Sequence, residues 1–164
     1  KVSPPAHWIN ITRQYLQKAN ADLSQSITAY CAVSVAMFDG MITCWGIKYR
    51  ENLIRPVTYI NRYMDKNWKP LIQTPPFPEY TSGHSTVSGS ASIILESLYP
   101  NTAVTDSTEV PFGFAPRNFK SATEAGREAS DSRFYGGIHY KFGVDNGFEN
   151  GNAIGKHILN TLTK

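Results

Sequence analysis

Three short segments of the chain carry side chains of the kinds that hold and transform a tetrahedral oxyanion. Lys48 and Arg55 are seven residues apart; on one continuous helix that is two turns, which puts both cations on one face about 10 Å apart. Tyr80-Thr81-Ser82-Gly83-His84 lies where a proline-rich loop runs into an apolar periodic segment, so the unpaired N–H groups and the positive end of a helix point outward there. Ser82 adds a hydroxyl, Gly83 lets the backbone come close to an anion, and His84 places a titratable donor beside it. Arg133 and His139 form the third segment, parted by Gly136-Gly137, which should break a helix and turn the histidine back toward the body of the protein. Taken singly, each segment has an ordinary structural reading: a solvated basic face, an N-cap serine with a surface histidine, and a satisfied histidine of the kind assumed for His7 and His157. Taken together, two arginines, a lysine, a serine, a glycine amide and two histidines are the donor set a tetrahedral oxyanion needs, with planar guanidinium forks to match its oxygens.

Helices must position these groups. Trp8, Ile11, Tyr15 and Leu16 recur at helical spacing after Pro4-Pro5, predicting an amphipathic helix over residues 6–22. Ser24 or Ser26 is the expected cap of a second helix; from Ile27 to Ile47 only Asp39 is charged, so this helix should be apolar nearly all round and lie buried at the centre. Pro56 should end or kink that element at Arg55, with a polar connector beyond it. Pro70, Pro75, Pro76 and Pro78 make residues 69–81 an ordered, irregular loop, and Val87, Ala91, Ile94, Leu95 and Leu98 predict a helix from His84 to Tyr99. Residues 100–120 read as loop, with Val110 to Phe114 the one short strand candidate. Ser121 with Glu124 has the form of a capping box opening a helix toward Tyr135, and Val144 to Thr163 reads as a last helix whose Gly147, Gly151 and Gly155 imply close helix–helix approach. The expectation is all-α: a compact helical bundle forming a single domain over residues 1–164, with no internal repeat and no linker.

Composition agrees and excludes other classes. With 164 residues, 41% hydrophobic and 18% charged, the chain is an ordinary globular one. Sixteen basic against thirteen acidic residues give +3, too weak and scattered for a nucleic-acid stripe. The apolar run from Ile27 is long enough to raise a membrane span, but Thr28, Tyr30, Ser34, Asp39, Gly40 and Thr43 interrupt it, and no transmembrane segment is expected. Cys31 and Cys44, about 20 Å apart if they share one helix, read as free, buried thiols. The opening Lys-Val-Ser-Pro-Pro, with neither methionine nor an apolar leader, points to a processed or truncated form, the C-terminal part of a longer precursor.

Lys48-x6-Arg55-Pro56, Ser82-Gly83-His84 and Ser132-Arg133-x5-His139, in that order, resemble the three-part signature shared by vanadium-dependent haloperoxidases and type 2 phosphatidic acid phosphatases. The resemblance spans Trp8 to Gly155 and implies that superfamily's all-helical fold. It implies that Lys48, Arg55, Ser82, Gly83 and Arg133 hold vanadate or phosphate, that His84 is the acid/base, and that His139 bonds the vanadium or attacks phosphorus. Pro75-Pro76-Phe77-Pro78-Glu79-Tyr80, and Trp45 three residues before Lys48, resemble the haloperoxidase branch, in which Trp45 and Phe77 would flank a halide. Two positions depart from the pattern: Thr81 replaces a proline before Ser-Gly-His, and Gly143 stands where an aspartate often follows the last histidine. Asp145 is then the nearest acid to orient His139, while Asp39 could pair with Arg133 or be a buried structural acid. The resemblance implies a small-molecule substrate and, by its family, a periplasmic or extracellular location. Haloperoxidase chemistry on peroxide and halide with vanadate as cofactor ranks first. Phosphate-ester hydrolysis, with no cofactor beyond bound phosphate, ranks second, and a non-catalytic oxyanion-binding module third.

Overall fold

Each helix begins and ends for a local reason, and those reasons set where the site groups stand. The computed structural model describes residues 2–162. Helix α1 spans Pro4–Lys18, opened by Pro4 and Pro5 in its first turn, where their missing N–H and fixed φ cost nothing. It buries Trp8, Ile11, Thr12, Tyr15 and Leu16. Helix α2, Leu23–Glu51, is capped by neither Ser24 nor Ser26: Asp22 accepts from Gln25 N at 2.8 Å and Gln25 Oε1 accepts from Asp22 N at 3.0 Å, a reciprocal box. It ends at Asn52, whose φ of 47° reverses the chain. The expected connector after Pro56 is instead helix α3, Pro56–Tyr63, with Arg55 as its N-cap residue and the proline at its first position. Lys48 and Arg55 therefore lie on two elements joined by a reversal, not on one helical face.

Helix α4, Gly83–Leu98, is the central element. Ser82 caps it by accepting from Ser85 N, and Ser85 through Ser92 are all buried. That run is mostly Ser, Gly, Ala and Thr, so neighbours approach closely. Helix α6, Lys141–Leu162, lays Gly147, Gly151 and Gly155 against it. A Cβ at Gly147 would stand 2.9 Å from Ser82 O, one at Gly151 would strike Thr86 O, and one at Gly89 of α4 would strike Phe148 O. The expected close approach is thus the α4–α6 contact, close-packed as interiors are. The predicted end of α6 at Thr163 lies outside the described residues.

Residues 100–120 are not all loop. Val104–Asp106 (β1) pairs antiparallel with Arg117–Phe119 (β2), Val104 opposite Phe119, whereas the predicted Val110–Phe114 strand is a 3-10 turn over Val110–Phe112 closed by Gly113 at φ 86°. Helix α5, Ala122–Tyr135, has Ser121 accepting from Glu124 N, but the Glu124 carboxylate reaches Lys120 N rather than Ser121 N, so the box closes one residue early. Trp8, Ile11, Tyr15, Val33, Met37, Val87, Ile94 and Leu95 make the main core, with Phe119 of β2 and Ala122 and Ala125 of α5 closing it. Truncating such residues costs about 2–5 kcal/mol. The fold is all-α but for the short β1–β2 ribbon.

Helix α2 is not buried all round. Ala29, Ala32, Val33, Ala36, Met37, Gly40 and Cys44 face inward, but Leu23 is 77% exposed and Phe38 67%. Among the described residues it is the one helix long and apolar enough, by length and composition alone, to cross a membrane, and 39% of that stretch is buried. Cys31 lies on the exposed side and only Cys44 is a buried thiol; both are free.

Candidate active site

The predicted donors converge where the end of α2, the start of α3, the proline loop, the start of α4 and the α5–α6 turn meet. A cavity of about 220 Å³ there is lined by Trp45, Phe77, Gly83, His84, Arg133 and His139, with Pro4, Pro5 and Pro75 at its edge. Lys48, Arg55 and Ser82 do not line it but are buried next to residues that do, at 0%, 5% and 0% exposure. Burial of two such cations demands compensation, and the loop supplies it with main-chain carbonyls. Lys48 Nζ donates to Pro78 O and Glu79 O, both at 2.9 Å; Arg55 Nε donates to Phe77 O at 2.9 Å and its Nη1 to Ile138 O at 2.8 Å. Three consecutive loop residues thus set the heads of both cations.

His139 is held at both ring nitrogens. Arg55 Nη1 donates to its Nε2 at 3.1 Å, and its Nδ1 meets Glu79 Oε1 at 2.6 Å. A guanidinium has donors only, so Nε2 carries a lone pair and Nδ1 carries the proton that Glu79 accepts. Burial first, then Arg55, Lys48 and Arg133, hold the imidazole far below its ordinary value, so it is neutral. Glu79 is fully buried, and burial raises its carboxyl to about 7 against the Tyr140 N–H and the two cations that favour its charge. Lys48 is lowered to about 8, chiefly by burial. Arg55 and Arg133 are lowered as well, by burial first.

Two guanidinium donors at the site lack a partner among the described residues. Arg55 Nη2 and Arg133 Nε are buried without a hydrogen-bond partner. Beside them Gly83 opens α4, and a Cβ there would press on Trp45 at 3.1 Å. Trp45 and Phe77 pack with centroids 5.2 Å apart, and Lys48 Nζ sits 5.2 Å from the Phe77 centroid. Two buried cations, Lys48 and Arg55, and the half-buried Arg133 against one carboxylate, with idle guanidinium donors and a histidine lone pair, fit a compact, multiply charged oxyanion. The donor set therefore suits vanadate or phosphate.

Sequence reasoning found most of this and misplaced the acids. Asp145 lies on α6, paired with Lys141 and 3.9 Å from Arg127, and does not touch His139. Asp39 lines a separate cleft with Ile42, Ile154 and His157, away from Arg133. The residue missed is Glu79. Its signal was present, since it is the one charged residue between Lys69 and Gly83 apart from the histidine that follows, but nothing local ties it to a histidine sixty positions later. His7 is the partner of Asp106, at 2.6 Å.

The sequence matches the family described as VCPO second helical-bundle domain, over residues 28–67 and 62–164. Among solved structures it is similar to a bacterial vanadium-dependent iodoperoxidase, with 49% identity and a TM-score of 0.95 over 98% of this chain. It is also similar to holo and apo forms of a bacterial vanadium-dependent chloroperoxidase, each at 20% identity over 94% of this chain, with TM-scores of 0.73 and 0.72. The last two show likeness of fold. The chain spans 39% of the iodoperoxidase chain and 40% of the chloroperoxidase chains. Comparison with curated proteins gives no match. A family match over nearly the whole chain, joined to 49% identity with one member, places this chain in the vanadium-dependent haloperoxidase superfamily.

Proposed function

We propose that this chain carries the vanadate-binding centre of a haloperoxidase that uses hydrogen peroxide to oxidise halide. Iodide is the first halide to test, because the neighbour at 49% identity is an iodoperoxidase. The observation that carries the reading is the pair of idle, buried guanidinium donors, Arg55 Nη2 and Arg133 Nε, beside the neutral His139 in an aromatic-walled cavity. When bound, vanadate supplies a Lewis-acidic centre that activates peroxide without a change in its own oxidation state.

The protein's part is binding, orientation and proton handling. His139 Nε2, which now accepts from Arg55, would be the protein atom that holds the oxyanion, and Arg55 would remain beside it as a donor. Arg133, the Gly83 amide and the Ser82 hydroxyl offset the remaining charge, and Lys48, fixed to the loop by two carbonyls, keeps a third N–H for an oxygen at its end of the site. His84, lining the same cavity, takes the proton that peroxide must lose and returns one to the leaving oxygen. Trp45 and Phe77 wall off water where a soft, weakly hydrated halide approaches.

One observation supports a second reading: an imidazole whose Nδ1 is held by a carboxylate and whose Nε2 faces an anion cavity is also the arrangement of a phosphoryl-transfer nucleophile. Vanadate-dependent, peroxide-driven oxidation of iodide and bromide, run beside phosphomonoester hydrolysis, separates the two. Halide oxidation that vanishes on removing vanadate and returns on adding it is expected. Ester hydrolysis inhibited by vanadate, with no halide oxidation, would make the protein a phosphatase. Neither activity, with phosphate still bound, would leave an oxyanion-binding module.

A further inference from the structure

We propose that Glu79 is the positioning residue for His139, and that Gly143 is glycine because its side-chain space belongs to that carboxylate, so positions 79 and 143 share one acid between them. The proposal rests on reading the cavity as an oxyanion site.

The geometry comes from five hydrogen bonds and the space around Gly143. Glu79 Oε1 accepts from His139 Nδ1 at 2.6 Å and from Tyr140 N at 3.1 Å. The second bond places the carboxylate over the first turn of α6, where the positive helix end favours an anion. A Cβ built on Gly143 would strike Glu79 Oε1 and stand 2.8 Å from Oε2 and 2.9 Å from Cδ. Both backbones are pinned: Gly143 O accepts from Ser82 N at 2.9 Å, and Glu79 N donates to Leu53 O at 2.9 Å while its carbonyl accepts from Lys48 Nζ, so a Cβ at 143 would have to displace the carboxylate itself, away from its bonds to His139 and Tyr140. The carboxylate is therefore seated between two pinned backbones. An acid projecting from α6 at position 143 would occupy the same space as one arriving from the loop at position 79. The chain uses the loop acid, and the helix residue opposite it has no side chain.

The positioning task is defined by the ring's other face. Arg55 can only donate, so it reads a bare Nε2, and Glu79 as acceptor at Nδ1 selects the tautomer that leaves Nε2 bare. Without Glu79 the Nδ1 proton has no buried acceptor, and the ring is free to turn or to move its proton to Nε2, where it would oppose Arg55 and any oxyanion.

The test uses the full-length protein and four variants: Glu79→Gln, Glu79→Ala, Gly143→Ala and the double variant Glu79→Ala/Gly143→Asp. Imidazole 15N NMR on anion-free protein reads the His139 tautomer, titration calorimetry with orthovanadate and with inorganic phosphate reads affinity, and thermal melting reports folding. The wild type should show protonated Nδ1 and bare Nε2. Glu79→Ala should mix the tautomers and weaken vanadate binding about 10- to 100-fold, the range for loss of a group that orients a ligating histidine. Gly143→Ala should do the same from the helix side. The double variant should recover most of the affinity and the tautomer, and Glu79→Gln, which keeps an acceptor oxygen, should lose less than Glu79→Ala. A wild-type tautomer and wild-type affinity in folded Glu79→Ala or in Gly143→Ala would overturn the proposal, as would a double variant no better than Glu79→Ala. Should Glu79→Ala not fold, Gly143→Ala and Glu79→Gln decide by the same readouts. Failure of the wild type to bind either anion would overturn the oxyanion reading alone, since the tautomer measurement judges Glu79 without any anion.

Discussion

Two histidine–carboxylate pairs in this protein close at the same 2.6 Å, and only one stands in the candidate site. His7–Asp106 ties α1 to β1 at the rim of a broad cleft, with side chains 29% and 10% exposed. His139–Glu79 is 4% and 0% exposed and is faced by Lys48, Arg55 and Arg133. The carboxylates respond in opposite senses. Burial pushes Asp106 up, but hydrogen bonds from His7 and Thr108 outweigh it and hold the carboxyl below its ordinary value. Burial dominates at Glu79 and carries it up to about 7. Pair distance alone therefore says nothing about role. What separates a clamp from a site is whether the histidine's second nitrogen is offered to a cavity and whether buried donors beside it are left idle.

The largest expected contrast is in turnover. His139→Ala should abolish vanadate-dependent halide oxidation, a loss of at least about 10³-fold, whereas His7→Ala should leave the rate within about twofold, because His7 does not line the cavity that His139 lines and acts through stability. Steady-state rates at saturating peroxide and halide compare them directly. Equal losses would erase the distinction drawn between the pairs.

The aromatic wall gives the next contrast. Phe77 is only half-buried and lines the cavity, so Phe77→Leu should leave thermal stability nearly intact while shifting the halide concentration that gives half-maximal rate. Phe119→Leu, in the core near the His7 pair, should do the reverse. Rate against iodide and bromide concentration, with melting curves as control, tests both.

Stability against pH should separate the acids by sign. Glu79 is raised from 4.5 to about 7, so the folded anion-free protein keeps a proton that the unfolded chain sheds, and this contribution is lost as pH rises through about 7. The stability of Glu79→Gln relative to wild type should therefore climb from pH 4.5 to 7. Asp106 is lowered below 3.8, so its contribution is present above that value and lost as pH falls through the depressed folded value. The deficit of Asp106→Asn, about 1–2 kcal/mol, should be present above that value and shrink in stronger acid. Urea melts across the range read both. The smallest effect should be His7→Gln at neutral pH, about 1 kcal/mol or less for a partly solvated pair.

Legibility followed the range of the interactions. Pro4-Pro5, Ser121 with Glu124, the apolar period from Val87 to Leu98 and the glycines at four-residue spacing in α6 are local signals, and each marks an element within a few residues of its place. The cap of α2 was misassigned because Asp22 stands just before two serines equally able to cap. The β1–β2 ribbon escaped because three-residue strands leave too little alternation to read. Ile27 and Phe38 stand exposed in the run expected to be buried, because composition reports how apolar a helix is, not which of its sides is covered.

What the sequence by itself determined is the inventory: a set of helices, a proline loop ending on a helix N-terminus, and three segments bearing the donors for a tetrahedral oxyanion. Those properties reside in residue type and in spacings of a few positions, where sterics and hydrogen bonding act locally. Only the tertiary structure decided which donors serve each other. The reversal at Asn52 put Lys48 and Arg55 on separate elements, and the loop carbonyls of Phe77, Pro78 and Glu79 then fixed their heads. The acid that holds His139 came from sixty residues upstream, into the space that Gly143 leaves open. A buried charge takes whichever partner packing brings within reach, and that partner's distance along the chain leaves no periodic trace.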